Sequence, residues 1–294
     1  MKLAVIGAGK WGEALFRAFK KQNSDVVITS RTKRDYEGFV TLDEALKSEY
    51  LVISIASQSL KTFLKTIDLS NKKILVASKG IDKDNFKFIN EIYEEYLPKE
   101  NLAYIGGPSF AKEVIEYKPT ALVIASHNLG LAKEFSSFFP DFIKTYIDND
   151  VMGVEIAGAY KNVIAIASGI CAGLKLGENA KASLLSRGLI EMDRFGEAFG
   201  ARKETFLGLA GAGDLFLTAN STLSRNYRVG LGLANNKALD NILEELGEVA
   251  EGVFTTTAIY KLAKKFGIYT PIANEVYHIL NGKDINQSLK DLLS

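Results

Sequence analysis

Three glycines, Gly7, Gly9 and Gly12, directly follow an apolar run from Lys2 to Ile6 and open a helix-like stretch. The spacing suits a dinucleotide. The first glycine allows a tight turn, the second lets a pyrophosphate touch backbone, and the third lets helix and strand pack closely. The helix N-terminus then faces the phosphates with unpaired N–H groups, and Lys10 and Trp11 fall in the same turn. Glycine-rich turns are common, so the setting matters: a second strand-like segment, Asp25 to Ser30, follows at βαβ spacing.

The tip of that second strand is where an acidic residue would hold ribose hydroxyls and repel a 2′-phosphate. Here it is Arg31, with Lys33 and Arg34 close behind. A cationic tip suits the 2′-phosphate of NADP; the alternative is a solvated basic loop.

A second chemistry lies in residues 150–173, where apolar and small residues cover nearly the whole circumference of a predicted helix. Such a helix is buried. Lys161 sits in its middle beside Asn162, and a buried lysine must be paired, reach solvent along its own stem, or work. Glu155, six positions earlier, lies on another face and is no i,i+4 partner. A functional lysine is the expectation, with Gly158 and Ala159 leaving room for a ligand.

Other candidates surround it in sequence. Gly208 to Gly213 precede Asp214 and Thr218, and Ser224-Arg225-Asn226 follows. Arg and Asn offer forked donors for phosphate, and Ser224 is placed to cap a helix. Lys79, in Ser78-Lys79-Gly80, follows the strand-like KILVA at its carboxyl end, the ligand-facing end in open α/β sheets. In Gly106-Gly107-Pro108-Ser109-Phe110-Ala111, Ser109 is expected to cap a short helix. Glu251, after Val249-Ala250, reads equally as a first-turn acid favoured by the helix dipole.

The elements that must position these residues fall into two patterns. Up to 148, strands are expected at 2–6, 25–30, 50–54, 73–76, 102–105, 120–125 and 143–147. Helices alternate with them near 11–21, 41–47, 58–66, 84–95 and 128–138, as a doubly wound parallel sheet requires. From 149 to 294 the chain reads as all-helical, with helices at 150–172, 178–199, 222–234, 238–246, 253–266 and 271–281. The fold class is thus α/β, an N-terminal Rossmann-type dinucleotide-binding domain (1–148) followed by a helical substrate domain (149–294). A cleft between domains is the default active site for such a plan.

Composition narrows the partners. Lys and Arg number 36 against 35 Asp and Glu, so nothing points to nucleic acid or to an anionic membrane surface. The longest apolar stretch, Val163 to Leu174, falls short of the roughly 18 residues of a membrane span. The N-terminal MKLAVIGAG is broken by glycine and charge too early for an export signal. One cysteine, Cys171, fits a reducing compartment and a core position. Two separated histidines, His127 and His278, offer no metal site.

Taken in order, GAGKWG, SKGI, GGPSFAKEV, GVEIAGAYKNVIAIASGI, GLAGAGDLFLT, SRNYRVG and VAEGVFTT closely resemble the bacterial NAD(P)-dependent glycerol-3-phosphate dehydrogenases. The motifs run from Gly7 to Thr256 without a missing block. The resemblance implies reversible reduction of dihydroxyacetone phosphate to sn-glycerol 3-phosphate with NADP(H), NAD(H) being the second nucleotide. It also implies supply of the glycerophospholipid backbone by a cytoplasmic homodimer. Carried over by position, it makes Lys161 the catalytic lysine and Lys79 a second active-site lysine touching cofactor and substrate. Gly107, Ser109, Asn162, Asp214, Thr218, Ser224, Arg225 and Asn226 become substrate contacts, with Asp214 in the catalytic set. Gly7, Gly9, Lys10, Trp11, Gly12, Arg31, Ala111, Arg225, Val249 and Glu251 join Lys79 as cofactor contacts.

Two departures bear on cofactor affinity: Lys10 stands where a small residue is frequent, and Ala56-Ser57-Gln58 lacks a proline usual after that strand. Two rivals share much of the pattern. A β-hydroxyacid or ketopantoate-type reductase would use the same plan with a carboxylate substrate. A non-catalytic NADPH-binding regulator would keep GAGKWG and Arg31 but need no buried lysine.

Overall fold

A computed structural model describes residues 2–247 and 250–293. They divide into two compact units, Met1–Lys79 with Phe88–Glu155, and Gly80–Lys87 with Ile156–Ser294.

The first unit is built on seven strands: β1 (Leu3–Ile6), β2 (Val26–Thr29), β3 (Tyr50–Ile53), β4 (Lys73–Val76), β5 (Leu102–Gly106), β6 (Thr120–Ala125) and β7 (Ile143–Asp148). Their order is β2-β1-β3-β4-β5-β6-β7. β1, β2, β3 and β5 are buried along their whole length, as helix-covered strands must be, whereas β7 is largely open. Helices α1 (Lys10–Gln22), α2 (Leu42–Ala45), α3 (Leu60–Thr66), α4 (Ile89–Glu94), α5 (Ala111–Ile115) and α6 (Leu129–Ser136) join the strands. α1 buries Leu15, Phe16 and Phe19, and the Phe19 ring meets Phe139 edge-on at 4.7 Å.

The sheet is not wholly parallel, as the alternation of elements led one to expect. β5 and β6 run antiparallel, and β7 then follows β6 in parallel. The reason is reach. The connection runs from 107 to 119 and its only helix is the five-residue α5, barely the dozen residues that a parallel crossover needs and without a helix long enough to cover the sheet on the way back. The chain therefore turns at the carboxyl end of β5 and comes straight back.

The helix expected at 84–95 starts only at Ile89. Asp82 Oδ1 accepts hydrogen bonds from the backbone N–H groups of Asp84 and Asn85, and Phe86 takes a left-handed φ of 59°, so the preceding segment is a turn. Residues 80–87 group with the second unit, where Lys261 Nζ lies 4.9 Å from the centre of the Phe86 ring. The first unit runs on to Glu155, so the division between the two units lies inside one unbroken helix.

That helix is α7 (Val151–Gly173). It is long and apolar enough to cross a membrane, but 89% of its most apolar window is buried inside the protein. The remaining helices are α8 (Glu178–Glu197), α9 (Lys203–Leu207), α10 (Asp214–Ala219), α11 (Arg225–Ala234), α12 (Leu239–Leu246), α13 (Glu251–Phe266), α14 (Pro271–Leu280) and α15 (Ile285–Leu293). α9, α10 and α15 were not legible in the sequence, and neither was the π turn Leu209–Gly213 that leads into α10. Glycines at 208, 211 and 213 mask any helical period there.

Within the second unit α7 and α11 pack almost backbone to backbone. A Cβ on Gly230 would run into the Ile166 carbonyl, and one on Gly169 into the Tyr227 carbonyl. α14 enters with Pro271 in its first turn and receives its cap from afar: Glu191 of α8 accepts from the Ile272 and Ala273 N–H groups, each at 2.8 Å. The same carboxylate accepts from Tyr160 Oη at 2.8 Å, one residue before Lys161.

Candidate active site

In the first unit the three glycines play three different parts. Gly7 adopts a φ of +108° and donates to the Thr29 carbonyl at 2.8 Å, which locks the β1–α1 turn against β2. A side chain on Gly12 would run into the Gly7 carbonyl, so helix and turn can meet only without one. Gly9 caps α1, and a Cβ there would meet nothing within 4 Å. Open backbone at Gly9 over a helix N-terminus fits a pyrophosphate. Trp11 packs on the core while its buried Nε1 donates to no protein group. Lys10 begins α1 and is exposed, as are Arg31, Lys33 and Arg34 past β2.

At the carboxyl end of the sheet, Ser78 Oγ donates to the Ile55 carbonyl at 2.6 Å, fixing the exit of β4 just ahead of half-buried Lys79. After β5, Gly107 turns with a φ of +104°. Ser109 does not cap the next helix, contrary to expectation. Phe110 occupies the cap position of α5 without a side-chain bond, and Ala111 is the first helical residue. Thr120 Oγ1 ties the Pro108 carbonyl back to β6 at 2.6 Å, and Ser109 Oγ turns inward to the Gly107 carbonyl at 3.3 Å.

Lys161 lies in the second unit and is 9% exposed. Its Nζ donates to Asp214 Oδ1 at 2.5 Å and to Thr218 Oγ1 at 3.2 Å. Asp214 is the first residue of α10 and Thr218 stands one turn later, bonded to the same Oδ1 at 3.3 Å. Two turns along α7 from Lys161, Ser168 Oγ donates to the Ala219 carbonyl at 2.7 Å. α7 thus clamps α10 at both ends, and the buried lysine has its counter-charge.

Ser224 caps α11 by accepting from Tyr227 N–H at 3.3 Å, as the sequence suggested, which leaves Arg225 exposed in the first helical position. Asn226 is buried and has a second duty. Its Oδ1 accepts from Gly252 N–H at 3.0 Å, capping α13 across 26 residues of chain. A Cβ on Gly252 would lie 2.6 Å from that oxygen and 3.1 Å from the Asn162 carbonyl, so Asn162, Asn226 and Gly252 converge on one point. Asn162 itself donates from Nδ2 to the Gly158 carbonyl at 3.3 Å. Glu251 is half-buried in the first turn of α13. Val249 lies outside the described residues. A largely apolar cavity of about 300 Å³ among α7, α8, α14 and α15 holds none of the predicted site residues.

Sequence reasoning missed Glu155. It is 5% exposed, and burial raises its carboxyl to about 8, against a smaller opposing pull from the Lys79 ammonium and the Asn90 and Ile89 N–H groups.

A glycine-hinged dinucleotide turn on a Rossmann-type sheet, with a buried lysine clamped in a helical unit, defines a two-domain nucleotide-dependent oxidoreductase. Comparison with known proteins narrows the class. The NAD-dependent glycerol-3-phosphate dehydrogenase C-terminus model matches residues 150–290, and the corresponding N-terminus model matches 38–132. The chain is 60% identical to glycerol-3-phosphate dehydrogenase (NAD(P)+) of Campylobacter jejuni, covering 100% of this chain and 99% of that one. It is 58% identical to the enzyme of the same name from Sulfurimonas denitrificans, at the same coverage. Among solved structures, glycerol-3-phosphate dehydrogenase from Coxiella burnetii superimposes with a TM-score of 0.91 at 32% identity, covering 100% of this chain and 98% of that one. The chain belongs to the NAD-dependent glycerol-3-phosphate dehydrogenase family.

Proposed function

We propose that this chain catalyses the reversible NAD(P)H-dependent reduction of dihydroxyacetone phosphate to sn-glycerol 3-phosphate, with Lys161 as its proton donor and acceptor. One observation carries the catalytic assignment: a buried ammonium is held between Asp214 and Thr218 on a long, largely apolar helix. The bound dinucleotide supplies the hydride. Gly7, Gly9 and Gly12 would hold its pyrophosphate, and Arg31 would meet a 2′-phosphate.

In reduction, Lys161 gives its proton to the ketone oxygen as negative charge develops there; in oxidation, the neutral amine takes the proton from the alcohol. Asp214 fixes the amine's direction and Lys79 adds positive charge. Arg225 and the Asn226 amide would grip the phosphate, and that remote grip orients the ketone. Gly107 and Ser109 would offer polar atoms to the substrate from the β5 loop. Work in the cytoplasm as a homodimer, supplying glycerophospholipid backbone, completes the reading.

The deciding experiment is NADPH and NADH oxidation by the purified protein, with dihydroxyacetone phosphate compared against 2-ketoacids. Turnover confined to dihydroxyacetone phosphate supports the proposal. Preference for a 2-ketoacid would favour the ketopantoate-type reductase, and nucleotide binding without any turnover would favour the regulator.

A further inference from the structure

Lys161, Arg225 and Glu251, three of the proposed site residues, sit on three different helices, α7, α11 and α13. The residue after each, Asn162, Asn226 and Gly252, comes together with the other two at a single point of the second unit. Gly252 is the tight member. Its N–H donates to Asn226 Oδ1 at 3.0 Å, its carbonyl accepts from Thr256 Oγ1 at 2.6 Å, and it is buried in the first turn of α13. The space beside its Cα is already filled: a Cβ would lie 2.6 Å from Asn226 Oδ1, 2.9 Å from Asn226 Cγ and 3.1 Å from the Asn162 carbonyl oxygen.

The backbone does not ask for this glycine. Gly252 does not adopt a left-handed φ, and inside a helix glycine is a weaker choice than alanine. What it supplies is the absence of a side chain, which lets its N–H reach the Asn226 amide. That bond decides which way the amide faces. Oδ1 is committed to the end of α13, so Nδ2, the other branch of the same planar group, is turned away from Gly252.

We propose that Gly252 is a positioning residue for the substrate phosphate: its N–H and its bare Cα hold the buried Asn226 amide with the Nδ2 donor aimed at the phosphate oxygens. The proposal rests on the reading that Asn226 grips that phosphate. A methyl group at 252 pushes on the amide from one side and on the Asn162 backbone from the other. Backbone yields less readily than a side-chain tip, so the amide moves, the bond to Gly252 N–H breaks, and Nδ2 loses its direction.

The test is Gly252→Ala, with inorganic phosphate as a competitor of dihydroxyacetone phosphate in the NADPH-oxidation assay. The inhibition constant for phosphate and the KM for dihydroxyacetone phosphate should both rise by about tenfold or more, the loss of one hydrogen bond to a charged group. A glycine needed for packing alone would lower the urea midpoint and the active fraction, and leave the phosphate constant and the KM where they were. Adding Gly252→Ala to Asn226→Ala isolates the link between the two. With the amide gone the methyl group has no oxygen to displace, so the double variant should bind phosphate as weakly as Asn226→Ala and no more weakly. A further loss as large as that of Gly252→Ala alone would overturn the proposal. So would an unchanged phosphate constant in Gly252→Ala beside a raised one in Asn226→Ala. An unchanged constant in Asn226→Ala would overturn the reading of Asn226 and the proposal with it. A measurement without substitutions covers the case in which Gly252→Ala does not fold. In NMR spectra of the NADPH-loaded enzyme, inorganic phosphate should shift the Asn226 side-chain NH₂ signals and leave the Gly252 N–H hydrogen-bonded. Unmoved NH₂ signals, or release of the Gly252 N–H on phosphate binding, would overturn the proposal.

Discussion

Lys161 and Asp214, 53 residues apart in sequence, meet at 2.5 Å with side chains 11% and 2% exposed, and neither charge could stay where it is without the other. Removing one partner of such a pair costs about 3–5 kcal/mol, whereas replacing both by apolar residues is often neutral or better. Lys161→Met and Asp214→Leu should each lower the urea midpoint sharply, and the double variant should recover most of that loss. Activity follows a different rule. Lys161→Ala should lower kcat by about 10²–10⁴, and the stable double variant should remain inactive. Recovery of stability without recovery of turnover would separate the catalytic cost of this pair from its structural cost. Near-normal turnover in Lys161→Ala would remove its role as proton donor.

Glu155 should leave its mark on stability. Its carboxyl sits at about 8 in the folded protein against an ordinary 4.5. As pH rises through 4.5 the unfolded chain releases this proton while the folded protein keeps it up to about 8. The unfolded state then binds fewer protons, so stability falls with rising pH across that window and levels off above it, by at most about 1.4 kcal/mol per pH unit. Urea unfolding of the unsubstituted protein and of Glu155→Gln between about pH 5 and 8 reads this directly. The difference between the two should shift in favour of the variant as pH rises, and parallel curves would contradict the assignment.

These two acids show what could be read from the chain alone and what could not. The glycine turn was legible because its constraint is local: Gly7, Gly9 and Gly12 are set by the turn and helix they belong to. Lys161 was legible as an anomaly, a charge on a helix with no polar face. Its partner was not, because Asp214 reaches it only through a π turn written in glycine and alanine, where no periodicity shows. Glu155 was dismissed for facing away from Lys161, although its environment comes from α4 and β5, whose packing no spacing reveals. The antiparallel β5–β6 pairing was hidden likewise, since strand direction depends on how the connection crosses the sheet rather than on the strands themselves.

Arg31 is exposed past the end of β2, where its guanidinium can meet a 2′-phosphate without giving up a buried partner. Arg31→Asp should raise the KM for NADPH by about 10- to 100-fold, the loss of a charge-assisted contact plus new repulsion, and should leave the KM for NADH level or lower. Steady-state kinetics with both nucleotides checks this. Equal effects on the two would mean that the residue does not read the 2′-phosphate.

Asn226 separates a structural task from a chemical one within a single side chain. Its Oδ1 caps α13 through Gly252 N–H, and its Nδ2 is the group proposed to meet the substrate phosphate. Asn226→Asp keeps an acceptor for Gly252, and a carboxylate at a helix N-terminus is favoured by the dipole. The Asp side chain, however, exchanges an N–H donor for negative charge against a phosphate. This variant should therefore unfold near the normal midpoint, while its KM for dihydroxyacetone phosphate rises by about tenfold or more, the loss of at least one charge-assisted hydrogen bond. Asn226→Ala removes both functions, so it should lose about 1 kcal/mol of stability along with substrate affinity. If Asn226→Asp instead proved as unstable as Asn226→Ala and bound substrate normally, the amide nitrogen would have no part in phosphate recognition and the residue would serve α13 alone.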